Sequence, residues 1–181
     1  EAIPITGTIV SGTYNDLNIK NYAHKYFQSV YDYPYLSSSA NHIFDISLGF
    51  PVTSPCSRSN GTDINKKINM YNQMAQVLMG FDPTGSILRF DRDGDLSSAG
   101  DKLDGCVFLS FSRLLVKDEI KKGSFLITFV TGGHEINVTD TMIKTLGDYG
   151  AANEYRVNSP AGEYGILYTA SSPINEGSGV G

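Results

Sequence analysis

The alternation of apolar and polar residues at every second position constrains the fold of this chain most. It is clearest in residues 41–50, where three apolar side chains alternate with two polar ones: Phe44, Ile46 and Leu48 with Asp45 and Ser47. Successive side chains of a strand point to opposite faces, so this spacing predicts a half-buried strand. The same alternation in residues 106–116 and 124–131 predicts two further strands, the second returning beside the first as a meander.

Shorter segments predict additional strands around this pattern. Val30–Tyr33 is β-branched and aromatic and is ended by Pro34, and residues 134–138 and 162–170 also favour strands. Residues 139–160 give no clear pattern and are interpreted as a long excursion. Residues 1–25 contain Gly7, Gly12 and a polar stretch that runs to Lys25, so we expect an N-terminal arm or loosely structured segment there.

One segment predicts a helix, at about residues 63–79. Five residues follow at helical spacing: Ile64, Ile68, Tyr71, Ala75 and Leu78. Thr62 or Asp63 is expected to cap its start, and Gly80 to end it. Nearby methionines widen the apolar surface, and we interpret them as core residues rather than an adaptable contact face.

These elements predict a mainly β fold, an antiparallel sheet or sandwich-like domain with one packed α-helix. The chain has 181 residues, which suits a single β-rich domain at residues 26–181 preceded by the arm. Since the sequence begins without Met and ends after a glycine-rich stretch with no obvious final element, we expect a processed or partial chain, truncated at its C-terminus.

Charge and motifs argue against several function classes. The net charge is −5 and basic residues are scattered, whereas nucleic-acid binding needs clustered Lys and Arg; we therefore expect no nucleic-acid partner. Since no apolar run approaches the ~20 residues that span a bilayer, we expect no membrane partner either. The sequence contains no nucleophile elbow, P-loop or dinucleotide fingerprint, and we predict a non-enzymatic protein with no catalytic residues.

An acidic loop is the one candidate metal site. Asp91, Asp93 and Asp95 occupy positions 1, 3 and 5 of a calcium-loop pattern, where alternate carboxylates converge on one Ca²⁺. The pattern also needs Gly at position 6 and an acid at position 12, where this chain has Leu96 and Lys102. We therefore predict a solvated hairpin loop without a cofactor, with a calcium site on the three aspartates as the alternative.

Two further residue groups leave alternatives open. Tyr31, Tyr33 and Tyr35 alternate, so on a strand they would share one face that binds a protein partner or sugars, although half-buried packing explains them equally well. Cys56 and Cys106 fit either a disulfide or two reduced thiols.

The order of four segments supports a resemblance. They are IFDISLGF at 43–50, INMYNQMAQ at 68–76, VFLSFSR followed by LLVKDEIKKG at 107–123, and GEYGILY at 162–168. In this order they resemble virion structural proteins of contractile-tailed bacterial viruses, especially those that infect cyanobacteria, and the resemblance covers roughly residues 26–181. It implies a particle component without catalytic residues, free thiols, and a variable loop around residues 91–104.

The leading hypothesis is therefore a structural subunit of the virion, in the neck, tail, baseplate or capsid, assembled in the bacterial host cytoplasm. Its partners would be other virion proteins and copies of itself, since symmetric homo-oligomers are usual for such parts. The alternative is a calcium-dependent adhesion or carbohydrate-binding β domain that uses the acidic loop and exposed tyrosines.

Overall fold

The computed structural model describes residues 17–58, 61, 63–92, 96–116, 119–131 and 142–169. The strands are β1 (Ile19–Asn21), β2 (Gln28–Tyr31), β3 (His42–Gly49), β4 (Cys106–Phe111), β5 (Leu126–Thr131), β6 (Met142–Gly147), β7 (Arg156–Ser159) and β8 (Gly162–Tyr164). The helices are a 3-10 turn at Pro55–Arg58, α1 (Ile64–Leu78) and the short α2 (Arg113–Val116). The prediction of a mainly β fold with antiparallel sheets and one long packed helix is confirmed.

The first four strands form one antiparallel sheet in the order β1-β2-β3-β4. Phe44 on β3 lies opposite Val30 on β2 and Phe111 on β4, and Ile19 of β1 lies opposite Val30. These side chains form the core together with Ile46, because the period-two spacing puts them on one face of the sheet.

Helix α1 packs against β3. Gly49 makes this close approach possible, since a Cβ atom there would lie 2.8 Å from the Tyr71 backbone nitrogen. Tyr71 is buried, and its hydroxyl accepts a 3.0 Å hydrogen bond from the Phe90 backbone N–H. Met70 and Met79 are also buried, which confirms that they are core residues.

The boundaries of α1 differ in detail from the prediction. Gly80 has φ +84 and ends the helix as expected. Of the two predicted caps, Asp63 makes no side-chain cap hydrogen bond, and Thr62 lies outside the described residues. The Asp63 carboxylate instead binds the Lys25 and Lys66 ammonium groups, each at 3.0 Å. Leu78 is 37% exposed and lies at the edge of the buried face rather than within it.

Several predicted strands require correction. β4 ends at Phe111 and the chain enters α2, so the predicted strand 106–116 is too long. The predicted meander is wrong, because β4 pairs with β3 while β5 pairs with β6. The final strand is shorter than residues 162–170, although Tyr168 forms an isolated bridge to Gly147. The predicted strand 134–138 lies outside the described residues.

The boundary of the N-terminal arm also changes. The predicted arm includes residues 17–25, yet Ile19–Asn21 is strand β1 and Ile19 is buried in the core. Three residues are too few for periodicity to reveal a strand. The remainder of the predicted arm, residues 1–16, lies outside the described residues.

The remaining strands form two small hairpins, β5–β6 and β7–β8. Their contacts with the first sheet and its helix include the Phe125 ring, which packs edge-on against Phe111, and the Ser159 hydroxyl, which donates a 2.5 Å hydrogen bond to the Leu78 carbonyl. Cys56 and Cys106 are both free thiols, the first exposed and the second half-buried.

Candidate functional site

A group of aromatic side chains gathers at the β1–β2 end of the sheet, and we call it the aromatic surface. Its neighbouring ring centroids lie 4.9 to 6.3 Å apart. Its members are Tyr22, His24, Tyr26, Phe27, Tyr31, Tyr35 and His42. Such rings combine a large apolar area with polar atoms at their edges, which suits recognition of a partner.

A hydrogen-bonded polar group lies beneath these rings. One oxygen of the Asp45 carboxylate accepts hydrogen bonds from the Ser29 hydroxyl at 2.5 Å and from His42 Nε2 at 2.8 Å. The hydroxyl groups of Tyr22 and Ser29 lie 3.2 Å apart. A catalytic Ser-His-Asp relay needs the imidazole between the serine and the carboxylate. Here Ser29 bonds the carboxylate directly and is 3% exposed, so the group orients side chains instead.

Tyr31 contacts two other rings of the aromatic surface. Its ring lies 6.3 Å from Tyr35 and 5.6 Å from His42. Burial, and then the neighbouring Tyr22, raise the pKa of Tyr31 above its ordinary value. The phenol therefore stays neutral across physiological pH and keeps its proton for a hydrogen bond.

The loop after β2 presents the other predicted tyrosines. The prediction that Tyr31, Tyr33 and Tyr35 share one strand face is wrong, because β2 ends at Tyr31. Tyr33 and Tyr35 lie in the loop of residues 32–41 with Leu36, and their side chains are exposed, Tyr33 by 57% and Leu36 by 84%. The structure thus brings Tyr31 and Tyr35 together by a turn rather than by strand periodicity.

Asp32 fixes the shape of this loop. Its carboxylate accepts hydrogen bonds from the backbone N–H groups of Tyr33 at 2.8 Å and Asn41 at 2.7 Å. It also accepts one from the Asn41 side chain at 2.9 Å, which is the main reason that the pKa of Asp32 is lowered. At the other side, the Tyr35 N–H donates to the Leu17 carbonyl at 2.9 Å. The exposed side chains are therefore carried by a closed, internally bonded loop.

The structure describes one of the three aspartates that form the alternative calcium site. Asp91 is buried and its carboxylate binds the Lys102 ammonium group. Asp93 and Asp95 lie outside the described residues. Within the described parts of the chain, no group of three or more His, Cys, Asp and Glu side chains is placed to hold a metal ion.

A cavity of about 250 Å³ lies between the two small hairpins. Its apolar wall is formed by Ile120, Phe125, Ala151 and Leu167. Lys122 lies at its edge, 2.6 Å from the Glu163 carboxylate and 3.3 Å from that of Glu119, and its ammonium is 4.9 Å from the centre of the Tyr155 ring. Lys122 thus links the segment before β5 to Glu163 on β8, and this part of the cavity wall is a structural junction between the hairpins.

Sequence reasoning identified part of this arrangement. It singled out Tyr31, Tyr33, Tyr35 and Asp91, but missed Tyr22, His24 and His42. The dense recurrence of aromatic residues between positions 22 and 35 was a usable signal, whereas the position of His42 depends on the pairing of β2 with β3.

Comparisons with known proteins add no relative: no protein-family model, no curated protein and no solved structure matches the chain. Among the helices that the structure describes, none is both long and apolar enough to cross a membrane.

Proposed function

We propose that this chain is a non-enzymatic structural subunit of a tailed bacterial virus particle. It acts through protein–protein contacts with copies of itself and with other particle proteins. It is assembled in the host cytoplasm and retained in the virion. The order of sequence segments that resembles virion proteins supports the viral assignment, and the loop of residues 32–41 supports the mode of action.

The single observation that supports the contact role is that this loop exposes apolar side chains while its backbone is held by hydrogen bonds. Tyr33, Tyr35 and Leu36 expose apolar area to solvent within one loop, and exposed apolar side chains that are grouped together mark interaction sites. Asp32 and Asn41 close the loop through three hydrogen bonds, two that the Asp32 carboxylate accepts from Asn41 and one from the Asp32 backbone N–H to the Asn41 carbonyl. A loop ordered before binding loses less conformational entropy on contact, and large apolar anchors dominate interface energies.

Light scattering of the purified chain over a range of concentrations tests the proposal. We expect a defined multimer, or growth into rings or tubes, and we expect Leu36→Ser with Tyr33→Ser to shift the mass towards the monomer. Leu114→Ser is the matched control, because Leu114 is 95% exposed and belongs to α2 rather than to this loop. A monomeric mass at every concentration contradicts a self-association role for the loop. An equal decrease in mass with Leu114→Ser contradicts it as well.

A second candidate is a calcium-dependent adhesion or carbohydrate-binding domain, favoured by the exposed Tyr33 and Tyr35 rings. Sugars stack on aromatic faces, and Asp32 and His42 lie nearby with polar atoms. Binding to a glycan array that is lost in Tyr33→Ala and Tyr35→Ala would favour this candidate. The same array with and without calcium separates the calcium-dependent form from simple stacking.

A further inference from the structure

β4 is an edge strand, because the four strands of the first sheet lie in the order β1-β2-β3-β4. Just after it, the Ser112 N–H donates a 2.8 Å hydrogen bond to the Ile43 carbonyl. Hydrogen-bonded and non-bonded residue pairs alternate along an antiparallel ladder, so every second residue of β4 turns its N–H and C=O groups away from β3. The residues with these outward groups are Val107, Leu109 and Phe111.

The outward groups form an open edge within the part of the chain that the structure describes. There, no backbone or side-chain group accepts a hydrogen bond from the N–H of Val107, Leu109 or Phe111. β4 pairs with β3 over six residues without a register shift, and it contains no charged residue and no proline. Natural sheets protect their edges with lysine, proline, bulges or very short strands, so β4 has the properties of an edge that accepts another strand.

The opposite edge of the sheet is protected. β1 has three residues, and its central residue is Lys20. The Lys20 ammonium lies 5.1 Å from the centre of the Tyr22 ring. A strand added beside β1 would find few backbone groups to pair with and would have to cover a charge. The two edges thus differ in length and in charge, and both differences favour β4 as the site of strand addition.

β4 is complementary to a second copy of itself. Antiparallel pairing about a two-fold axis at Leu109 aligns Leu109 with the copy's Leu109, and Val107 with the copy's Phe111. Each outward N–H then faces a C=O of the copy, and the neighbouring side chains on that face are all apolar. No like charges meet, because β4 contains none. A strand of this composition therefore fits a second copy without a charge on either side.

We propose that β4 pairs with β4 of a second copy in antiparallel register, so that two four-stranded sheets join as one continuous sheet. The inference rests on the self-association in the proposed function and adds a contact separate from the loop of residues 32–41. A two-fold contact by itself closes at a dimer. A chain with two different contact surfaces can grow into rings or larger assemblies, so the β4 edge and the loop together suit a particle subunit.

Backbone hydrogen exchange, read residue by residue by mass spectrometry at several protein concentrations, tests the pairing. In the monomer we expect slow exchange at Phe108 and Ser110, whose N–H groups bond β3, and fast exchange at Val107 and Leu109. In the assembly the Val107 and Leu109 amides should exchange about tenfold more slowly or less, because pairing removes them from water. Phe108 and Ser110 are internal controls and should change little.

Val107→Pro breaks the pairing from one chain. It removes an outward N–H and leaves the hydrogen bonds to β3 in place, since proline is tolerated on an edge strand where its nitrogen faces solvent. Val107→Thr is the matched control, because it keeps the N–H and a β-branched side chain. We expect Val107→Pro to lower the mass measured by light scattering by about half or more and to expose the Leu109 amide to fast exchange. Val107→Thr should behave as the native chain does.

Three results overturn the β4 contact. One is an assembly in which the Leu109 amide exchanges fast, and another is a monomeric mass at every concentration. The third is slow exchange of the Leu109 amide in the monomer, because the edge would then be covered within one chain. Circular dichroism checks the fold of each variant, and if Val107→Pro unfolds, the exchange pattern of the native chain decides.

The double variant Tyr33→Ser with Leu36→Ser separates this contact from the proposed role of the loop. We expect it to leave dimers in which the Leu109 amide still exchanges slowly. If the double variant keeps the native mass while Val107→Pro loses it, the loop role fails and the β4 contact stands. If the double variant is monomeric with fast exchange at Leu109, the loop carries the association and the β4 contact is overturned.

Discussion

The four-stranded sheet with α1 and the two later hairpins are held together by different interactions. In the sheet, Ile19, Val30, Phe44 and Ile46 are buried against one another. Among the side chains that the structure describes in residues 119–169, Ala151 is the one buried apolar residue. There the segments are joined through charged groups, with Asp148 and Lys122 each contacting several neighbours.

This difference predicts how each region responds to change. The stabilisation that comes from apolar burial is reduced mainly by substitutions that create cavities or overpack the core, and it depends little on pH or salt. Contacts between ions and backbone groups are directional, and exposed ones are screened by salt. We therefore expect substitutions in the sheet to affect the whole fold, and substitutions in the hairpins to act locally.

The largest effect is expected for Tyr71→Ala. The side chain is 1% exposed and its ring packs edge-on against Phe90 at 5.3 Å, so truncation leaves a cavity between α1 and β3. We expect a loss of about 3–5 kcal/mol in the free energy of unfolding, measured by urea denaturation. Tyr71→Phe, which removes the hydroxyl that accepts the Phe90 N–H, should cost about 1 kcal/mol. Equal losses would contradict a packing role.

Gly49→Ala tests the close approach of helix and sheet. The new methyl group would lie 2.9 Å from both the Tyr71 Cα and a ring carbon of Phe108, so α1 must shift. We expect a cost of about 1–3 kcal/mol from overpacking, read by denaturation. Gly105→Ala is the control, because no atom lies within 4 Å of the place that its new methyl group would take, and it should be close to neutral.

Asp148→Ala tests the hairpins. The carboxylate accepts hydrogen bonds from the N–H groups of Gly123 at 2.8 Å and Phe125 at 2.7 Å, and both donors lose their partner. We expect the substitution to lower the free energy of unfolding by about 1–3 kcal/mol. Hydrogen exchange should show faster exchange at these two amides, with β3 unchanged. Asp101→Ala, at an exposed position, is the control, and equally faster exchange in β3 would contradict a local role.

Lys122 provides a smaller test at alkaline pH. Hydrogen bonding to Glu163 raises the pKa of Lys122, so its stabilising contribution is present below about pH 10.4, the ordinary lysine value, and is lost as the pH rises through the higher folded value. We expect the rate of backbone hydrogen exchange in residues 155–164 to rise with pH in this window. The rise should be larger in the native chain than in Lys122→Met. A pH response unchanged by Lys122→Met would exclude this ion group as its cause.

The smallest effect is expected at Asp32. The hydrogen bond from the Asn41 side chain lowers the pKa of Asp32. Its contribution is therefore present above about pH 3.9, the ordinary aspartate value, and is lost as the pH falls through the lower folded value. Nuclear magnetic resonance should show the Asn41 amide shift in that acidic window in the native chain but not in Asp32→Asn. A simultaneous change in the core of the sheet would contradict a loop-confined response.

The same contrast explains which parts of the fold were predictable from sequence. β3 and α1 were predicted almost to the residue, because periodicity repeats several times within each. The apolar run at residues 114–116 is too short to distinguish a helical turn from a strand. The pairing of β5 with β6 rather than β4 depends on contacts between distant segments, which local patterns do not encode.

The candidate sites follow the same rule. Asp91 was predicted from its motif, and Lys102 was recognised as a departure from the calcium pattern. Their ion pair depends on how the loop closes, which the motif alone does not specify. The aromatic surface was predicted only through Tyr31 and Tyr35, because its other rings are brought near by the turn between β1 and β2 and by strand pairing.

The two thiols differ in a way that makes the chain convenient to label. Burial raises the pKa of Cys106 to about 11, so its reactive thiolate is scarce at neutral pH. Cys56 is exposed, and the sequence contains no third cysteine. A maleimide dye at neutral pH should therefore attach at Cys56, giving a single fluorescent reporter for the native chain without any substitution.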